Sequence, residues 1–425
     1  MLILLTSLFI FLFLGIPIAY SLGLSGFLYF AAIHPELLKI LPARLYAGMN
    51  AYAMIALPLF VFMGLVMNSG GITSRLINFS LLFVGRFKGG LGLVNVMASM
   101  IFGGISGSSV SDTASVGAVL IPEMTKKGYS PEFSSGITVA SSTMGMIIPP
   151  SVPMVIYAYI SEESVGRLFL GGLIPGVMIG FLMLAITIAV SIWKKYPTAA
   201  LSLTTREKVI LGLNAIPALI MPVFVVGSVV TGLATATESA GLGVLYALLI
   251  GFFVIRELKL NSLPKLLRDS IMTSATVMII IALSKLYVWI LALERIPQML
   301  GTFVSELNLP IFLILLLVLF IILIIGTFVD VSPAILLLTP VFLPAMKVLG
   351  ISGVQFGVIL ISGLAVGLVT PPVGMCLNVC SAISGLRIGT IFRAAAPFLL
   401  ANLITLVLIT YIPGLSMWLP SILMD

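Results

Sequence analysis

The sequence is short of charge and of metal-binding residues. Only 8% of its 425 residues are charged, and His34 is the single histidine. Soluble domains carry roughly a quarter charged residues, so a soluble globular chain is excluded. One histidine cannot form the clusters that bind zinc or haem, and the absence of a Gly-x4-Gly-Lys-Ser/Thr phosphate loop opposes an ATP-driven pump. We therefore expect no bound cofactor.

Cysteine is equally scarce. Cys376 and Cys380 lie four residues apart in an apolar stretch, which predicts that both lie on one face of a helix. A buried thiol behaves as a small hydrophobic group. Neither a disulfide nor a metal site is expected there.

Apolar sequence is what the chain has in abundance, at 60% of its residues. A spanning helix needs about 20 mostly apolar residues, and such runs follow one another almost end to end. The N-terminal run lacks a basic leader and a cleavage site, which predicts a retained helix and not a signal peptide. The fold class predicted is an all-α polytopic membrane protein, with crossings near 2–32, 49–69, 132–160, 168–193, 210–230, 236–255, 270–293, 354–384 and 395–418.

The basic residues predict an orientation. Alternate loops place 15 of the 21 Lys and Arg residues on one side, which the positive-inside rule makes cytoplasmic. The N-terminus is then predicted to be cytoplasmic and the C-terminus periplasmic, and only Lys285 falls within a span. The fifteen are Arg75, Arg86, Lys88, Lys126, Lys127, Lys194, Lys195, Arg206, Lys208, Arg256, Lys259, Lys265, Arg268, Arg387 and Arg393.

Two further apolar segments, about 92–124 and 311–346, are interrupted by polar residues at their middles. This pattern predicts re-entrant helical hairpins. A constant offset of 222 residues relates the two regions, since Gly104 aligns with Gly326 and Gly145 with Gly367. Chance identity between two Gly- and Pro-rich segments competes with a true repeat, but the shared order of elements favours the repeat.

The predicted organisation is therefore an inverted repeat. The first copy covers 1–200, with a broken helix at about 132–160, and the second covers 236–425, with a broken helix at about 354–384. The helix at 210–230 links them and inverts the second copy. Links before each hairpin, Thr73 to Gly85 and Arg295 to Leu307, are predicted to be arm helices along the membrane interface.

The first hairpin is rich in hydroxyl groups from Ser106 to Ser115. Hydrocarbon does not tolerate such groups without partners, so they face protein, water or an ion. Hydroxyls bonded back to their own helix are the alternative. Asp112 and Asp330 are intramembrane acids and therefore candidate functional residues, although either is also suited to cap a short helix.

Each broken helix contains a Pro-Pro pair, at Pro149-Pro150 and Pro371-Pro372. Prolines remove amide donors and oppose helix at the preceding residue, which leaves nearby carbonyl oxygens free. Free carbonyls beside hydroxyls suit sodium, and half-helix N-termini suit a substrate carboxylate. A plain proline kink is the alternative at either site.

Two other charged residues have less specific roles. Lys285 is suited to contact an anionic substrate, to pair with an acid or to snorkel. Glu238 is predicted to cap the 236–255 helix within the sequence Thr235-Ala236-Thr237-Glu238.

Taken together, these motifs resemble the large membrane subunit of tripartite ATP-independent periplasmic (TRAP) transporters, the DctM family. The resemblance spans nearly the whole chain. The segments that carry it are Met49-Asn50, Ala56-Leu57-Pro58-Leu59-Phe60, the Gly-Gly-Leu-Gly at 89–92, Ser106-Gly107-Ser108-Ser109 to Asp112-Thr113-Ala114, Ile148-Pro149-Pro150-Ser151, Thr235 to Gly241, Leu338-Thr339-Pro340-Val341, and Gly367 to Gly374.

The resemblance implies an elevator-type, sodium-driven transporter of the inner membrane. It implies one sodium site at Ser106, Ser109, Gly145, Ile148 and Pro149, and another at Gly326, Gly367, Thr370 and Val373. Substrate is expected between the hairpin tips, at Ser108, Asp112, Pro150, Asp330 and Pro372. The implied partners are a small four-helix membrane subunit, expected as a separate chain, and a periplasmic substrate-binding protein.

Two other functions compete with this one. A stand-alone sodium-coupled carboxylate carrier or ion exchanger has similar architecture. An intramembrane serine protease is suggested by Gly104-Ile105-Ser106-Gly107, but it needs a base to activate the serine, and His34 lies in a loop before Pro35. Enzymatic activity is therefore not expected. The substrate predicted is an organic acid of the sialic acid or C4-dicarboxylate type, with a slight preference for sialic acid from overall likeness.

Overall fold

The chain is built from helices. The computed structural model describes residues 2–199, 204–306 and 309–424, and within these ranges the only extended pairing is an isolated bridge between Lys88 and Thr198. The predicted all-α fold class is confirmed. Four predicted range ends, Met1, Ala200, Leu307 and Asp425, lie outside the described residues.

Twenty α-helices follow one another in these ranges. The first ten are α1 Leu2–Phe13, α2 Ile18–Ile33, α3 Leu41–Met49, α4 Ala56–Ser69, α5 Ile72–Val84, α6 Gly90–Ser106, α7 Ser109–Lys126, α8 Pro131–Ser142, α9 Val152–Ser161 and α10 Val165–Trp193. The others are α11 Thr205–Val230, α12 Ala236–Leu249, α13 Leu263–Leu293, α14 Ile296–Glu306, α15 Ile311–Phe328, α16 Val331–Val348, α17 Gly353–Gly367, α18 Met375–Ser384, α19 Ile388–Tyr411 and α20 Gly414–Leu423. Short 3₁₀ or π segments lie at Pro35–Ile40, Tyr52–Ile55, Thr143–Met146, Ile250–Ile255 and Leu260–Ser262.

Seven helices in the described part of the chain are long and apolar enough to cross a membrane, and the bent pair α4 and α5 adds an eighth if it is one span. The most apolar is α15, with a mean hydropathy of 3.4. Because a bilayer core is about 30 Å thick, these lengths fit a multi-pass membrane protein.

The predicted single helix 2–32 is wrong, because the chain breaks between α1 and α2. Gly15 adopts a left-handed φ of +79°, and Pro17 precedes α2 without an amide hydrogen to donate. The two helices pack against each other. At the other end, Pro413 separates α19 from α20, where one helix over 395–418 was predicted.

Each apolar segment with a polar middle forms a pair of helices. The turn between α6 and α7 is Gly107-Ser108, and the turn between α15 and α16 is Val329-Asp330. The first pair packs against α8 and the second against α17. The broken helices are α8 with α9, interrupted at residues 143–151, and α17 with α18, interrupted at residues 368–374.

Other helices pack around the long helix α13 and around α4. The 31-residue helix α13 packs against α2, α3 and α4, and α12 packs against α4. Two short helices, α5 and α14, precede the hairpins. Glu238 caps α12, as predicted, because Thr235 and Glu238 form a reciprocal capping box.

Candidate functional site

A cavity of about 490 Å³ lies where both hairpin turns and both broken helices meet. Residues 106–111 of the first hairpin and 330–332 of the second form two of its walls. The broken helices contribute Val152 and Leu368, and the outer helices α4 and α13 complete the lining with Val61 and Thr273. The cavity is of a size that suits a small organic ligand.

The turn of the first hairpin is built by local hydrogen bonding. Gly107 ends α6 with a left-handed φ of +62°, a conformation that glycine adopts without a steric penalty. Ser108 then caps α7, because its hydroxyl accepts a bond from the Ser111 amide at 3.5 Å. The Ser108 amide donates to the Ser106 hydroxyl at 3.2 Å. The serine-rich sequence thus forms a compact turn held by its own side chains.

Two oxygen atoms beside this turn are buried without a hydrogen-bond partner among the described residues. They are Ser109 Oγ and Asp112 Oδ2, and both side chains are at most 1% exposed. The other carboxylate oxygen of Asp112 accepts a hydrogen bond from the Ser106 hydroxyl. Buried polar atoms normally have partners, and hard cations take oxygen ligands, so this cluster suits a sodium ion.

Gly145 packs directly against this cluster. A methyl group placed on Gly145 would lie 2.1 Å from Asp112 Oδ2, so any side chain there would displace the carboxylate. Pro149 and Ile148 approach from the same break, where they border Gly104 of the hairpin. The first predicted sodium set, Ser106, Ser109, Gly145, Ile148 and Pro149, is therefore brought together around the hairpin turn.

The second predicted set meets at the other hairpin. A methyl group on Gly367 would lie 2.3 Å from the carbonyl carbon of Gly326, so the two backbones are in direct contact. The Val373 amide donates to the Thr327 carbonyl at 3.2 Å. The Thr370 hydroxyl, in the interruption, donates to the Val366 carbonyl of α17 at 2.8 Å, which ties the interruption to the end of that helix.

The residues predicted to bind substrate do not all reach the cavity. Ser108 and Asp330 line it, and Asp330 is exposed. Asp112 is fully buried behind the turn. Pro150 and Pro372, each in a cis Pro-Pro bond, lie outside the lining.

Sequence reasoning missed the walls that the outer helices supply. Val61 and Leu65 of α4 line the cavity, as do Thr273 and Val277 of α13. Their apolar side chains are indistinguishable in sequence from ordinary lipid-facing or core positions, and only Thr273 offered a polar signal.

The residues considered for a serine protease have other partners. The His34 Nδ1 atom lies 3.2 Å from Glu36 Oε1. The Ser106 hydroxyl donates to the Asp112 carboxylate and to the Ser108 carbonyl.

Comparison with known proteins agrees with this architecture. The chain is 38% identical to the C4-dicarboxylate TRAP transporter large permease protein DctM of Pseudomonas aeruginosa over 94% of both chains. It is 34% identical to the sialic acid TRAP transporter large permease protein SiaM of Vibrio cholerae over 97% of this chain and 96% of the other.

A solved structure shares the fold. The chain superposes on the Alcanivorax borkumensis YdaH transporter with a TM-score of 0.63 at 16% identity, over 91% of both chains. The family profile described as tripartite ATP-independent periplasmic transporter, DctM component, matches residues 5–415. The chain is thus a multi-pass membrane transport protein, and it belongs to the DctM family of TRAP transporter large permease subunits.

Proposed function

We propose that this permease takes up an organic acid of the sialic acid or C4-dicarboxylate type, driven by sodium ions. The observation that carries the proposal is the pair of unpartnered buried oxygens, Ser109 Oγ and Asp112 Oδ2, next to the cavity between the hairpins. A cation held there would offset the negative charge of a carboxylate substrate. The named relatives, which act on C4-dicarboxylates and sialic acid, support the substrate class.

Within this proposal, the two predicted sodium sets keep their roles. The first hairpin set would hold one ion through Ser106, Ser109 and the break at Gly145. The second would hold another through main-chain oxygens near Gly326 and Gly367. Ser108 and Asp330 would contact the substrate, since both line the cavity. Asp112 would act on the ion and not on the substrate, because it is buried behind the turn.

We also propose that the hairpins and broken helices of the two inverted repeats move as one unit. Each hairpin is joined to its own broken helix by main chain: the Val152 amide donates to the Gly107 carbonyl at 3.4 Å, and the Val373 amide donates to the Thr327 carbonyl at 3.2 Å. The outer helices present apolar side chains such as Val61 and Val277 to the cavity. Sliding along an apolar wall breaks few hydrogen bonds, which favours an elevator-type movement.

Orientation follows from the basic loops. The side that carries the fifteen Lys and Arg residues is proposed to be cytoplasmic, and the C-terminus periplasmic. The cytoplasmic N-terminus was predicted by counting residues 2–32 as one membrane crossing. Because α1 and α2 are separate helices, the number of crossings no longer determines the side of the N-terminus. The inner membrane is the proposed location, and a small four-helix subunit and a periplasmic binding protein are the proposed partners.

The test is uptake into proteoliposomes that contain this chain and its small subunit. Labelled succinate and sialic acid are offered separately, with and without an inward sodium gradient and the cognate binding protein. We expect uptake of one acid only when both are present. Sodium-driven uptake that is indifferent to the binding protein would identify a stand-alone mode of transport, and uptake without sodium would refute the coupling.

A further inference from the structure

Lys285 lies on the helix that forms one wall of the cavity. Thr273 and Val277 of α13 line the cavity, and Lys285 continues the same i, i+4 row through Ile281. Eight residues separate Val277 from Lys285, a rise of about 12 Å along the helix. The ammonium group therefore lies beyond the cavity, nearer the end of α13.

Tyr159 is placed in the same way relative to the cavity on α9, the second half of the first broken helix. Val152 and Pro153 of α9 line the cavity, and Tyr159 lies about 10 Å further along that helix. The Lys285 Nζ atom lies 4.7 Å from the centre of the Tyr159 ring. Both helices line the cavity near their N-terminal ends and touch at this contact nearer their C-terminal ends, so they extend from the cavity in the same direction. In the proposed orientation, the contact is on the periplasmic side.

Several groups hold the Lys285 side chain in this position. The Tyr159 hydroxyl donates to the Gly48 carbonyl at 3.1 Å, which fixes the ring. A methyl group on Gly48 would lie 2.9 Å from Lys285 Cγ, so α3 packs closely on the lysine stem. The Glu162 carboxylate, just past α9, attracts the ammonium. The cation is thus covered by an aromatic face, a contact worth about 0.5–2 kcal/mol in general.

We propose that Lys285 is the first anion-binding residue on the periplasmic side of the cavity, and that Tyr159 covers it in the conformation seen here. Tyr159 belongs to the unit proposed to move, whereas Lys285 and Gly48 belong to the outer helices. Movement of that unit along α13 uncovers the ammonium and brings the cavity level with it. A substrate carboxylate then replaces the ring and Glu162. This inference rests on the proposed function, because it requires an anionic substrate and a moving unit.

The first test compares Lys285→Gln with Lys285→Arg in the proteoliposome assay, using whichever of succinate or sialic acid the wild-type protein transports. We expect Lys285→Gln to raise the half-saturating concentration of loaded binding protein at least fivefold, while the sodium concentration for half-maximal uptake is unchanged. Lys285→Arg, which keeps the charge, should remain within twofold of the wild type. An unchanged half-saturation in Lys285→Gln, with active wild type, overturns the proposal.

The second test measures how far the Tyr159 ring shields position 285 from a water-soluble reagent, and it does not require transport. Lys285→Cys is labelled with a membrane-impermeant thiol reagent, against a background in which Cys376 and Cys380 are buried. Adding Tyr159→Leu should raise the labelling rate at least fivefold, whereas the matched Tyr159→Phe, which keeps the ring, should raise it less than twofold. Equal rates in all three proteins would refute the covering role. If the wild type shows no sodium-driven uptake at all, the proposed function fails, and this labelling result still reports on Tyr159.

Discussion

The two hairpins differ in their packing although they occupy matching positions in the chain. The first is polar where it packs on its broken helix. The Asn95 side-chain amide of α6 donates to the Thr138 hydroxyl of α8 at 2.6 Å. The residues 222 positions later are Leu317 and Leu360. The helix α15 is the most apolar span in the described ranges and exposes large side chains such as Phe328, at 61%. Side-chain hydrogen bonds thus join the first hairpin to its broken helix, whereas the matching positions of the second are apolar.

The turns of the hairpins differ in the same sense. Ser108 and Asp330 are 222 residues apart and both precede the second helix of their hairpin. The Ser108 side chain caps α7, whereas the Asp330 side chain makes no cap bond and is exposed. Asp112, which is buried beside the first turn, has Ala334 as its counterpart. The two hairpins share their order of elements, but the first has a turn capped by a side chain and the second has an uncapped turn with an exposed acid.

The largest expected effect concerns the close glycine contacts. Gly367→Ala should reduce sodium-dependent uptake to background, because the new methyl group would meet the main chain of Gly326 at 2.3 Å. Gly145→Ala should reduce it roughly tenfold, because its nearest neighbour is the Asp112 side chain, which can rotate. Gly212→Ala has open space around it and serves as the control. Equal losses at the two sites would contradict this difference.

Substitutions of Asp112 and Asp330 should differ in their effect on the sodium dependence of uptake. Asp112→Ala should lower maximal uptake about tenfold and raise the sodium concentration needed, because a sodium ion held beside Ser106 and Ser109 would lose a carboxyl oxygen ligand. Asp330→Ala, at an exposed site on the cavity wall, should change sodium dependence less than twofold. Sodium titrations of uptake in proteoliposomes measure both. If Asp330→Ala changed the sodium dependence of uptake more than Asp112→Ala, the second turn and not the first would be the one that acts on sodium.

The free energy of unfolding should depend on the side-chain hydrogen bonds that join the first hairpin to α8. Asn95→Leu, which inserts the residue found at the matching position of the second hairpin, should destabilise the protein by about 1 kcal/mol, because Thr138 loses its donor. Thermal unfolding in detergent gives the measurement. Thr276→Val is the control, since that exposed hydroxyl bonds only within its own helix. A gain in stability for Asn95→Leu would mean that the network does not hold the hairpin.

The smallest expected effect is at the turns. Ser108→Ala should lower stability by about 0.5–1 kcal/mol through the lost cap. Asp330→Ala should leave stability unchanged, because no cap bond is lost. The same unfolding assay compares them, and a matching loss in both variants would indicate that Asp330 also caps its helix in solution.

The breaks in the chain could be predicted from the sequence, because Gly permits left-handed backbone conformations and Pro removes an amide donor. The turn at Gly107 and the interruptions at the Pro-Pro pairs are local events. The interruption at Gly15 and Pro17 obeys the same rules, but it was missed because the surrounding apolar run is long enough to span a membrane as one helix.

The partners of each residue could not be predicted in the same way. Nothing near Gly145 indicates that the Asp112 carboxylate will press against it, because that contact depends on how α7 and the break pack in space. The outer wall of the cavity, Val61 and Thr273, comes from helices about 200 residues apart. Such apolar positions carry no local pattern that distinguishes a cavity wall from a lipid-facing surface.

The main-chain bonds between each hairpin and its broken helix bear on how the two halves can change over time. The amides of Val152 and Val373 and the carbonyls of Gly107 and Thr327 are present whatever side chains those residues carry, so long as none of the donors becomes proline. Side chains around these main-chain hydrogen bonds can therefore be substituted without loss of the bonds themselves. The two hairpins can therefore differ in polarity, as they do here, while each keeps its main-chain hydrogen bond to its own broken helix.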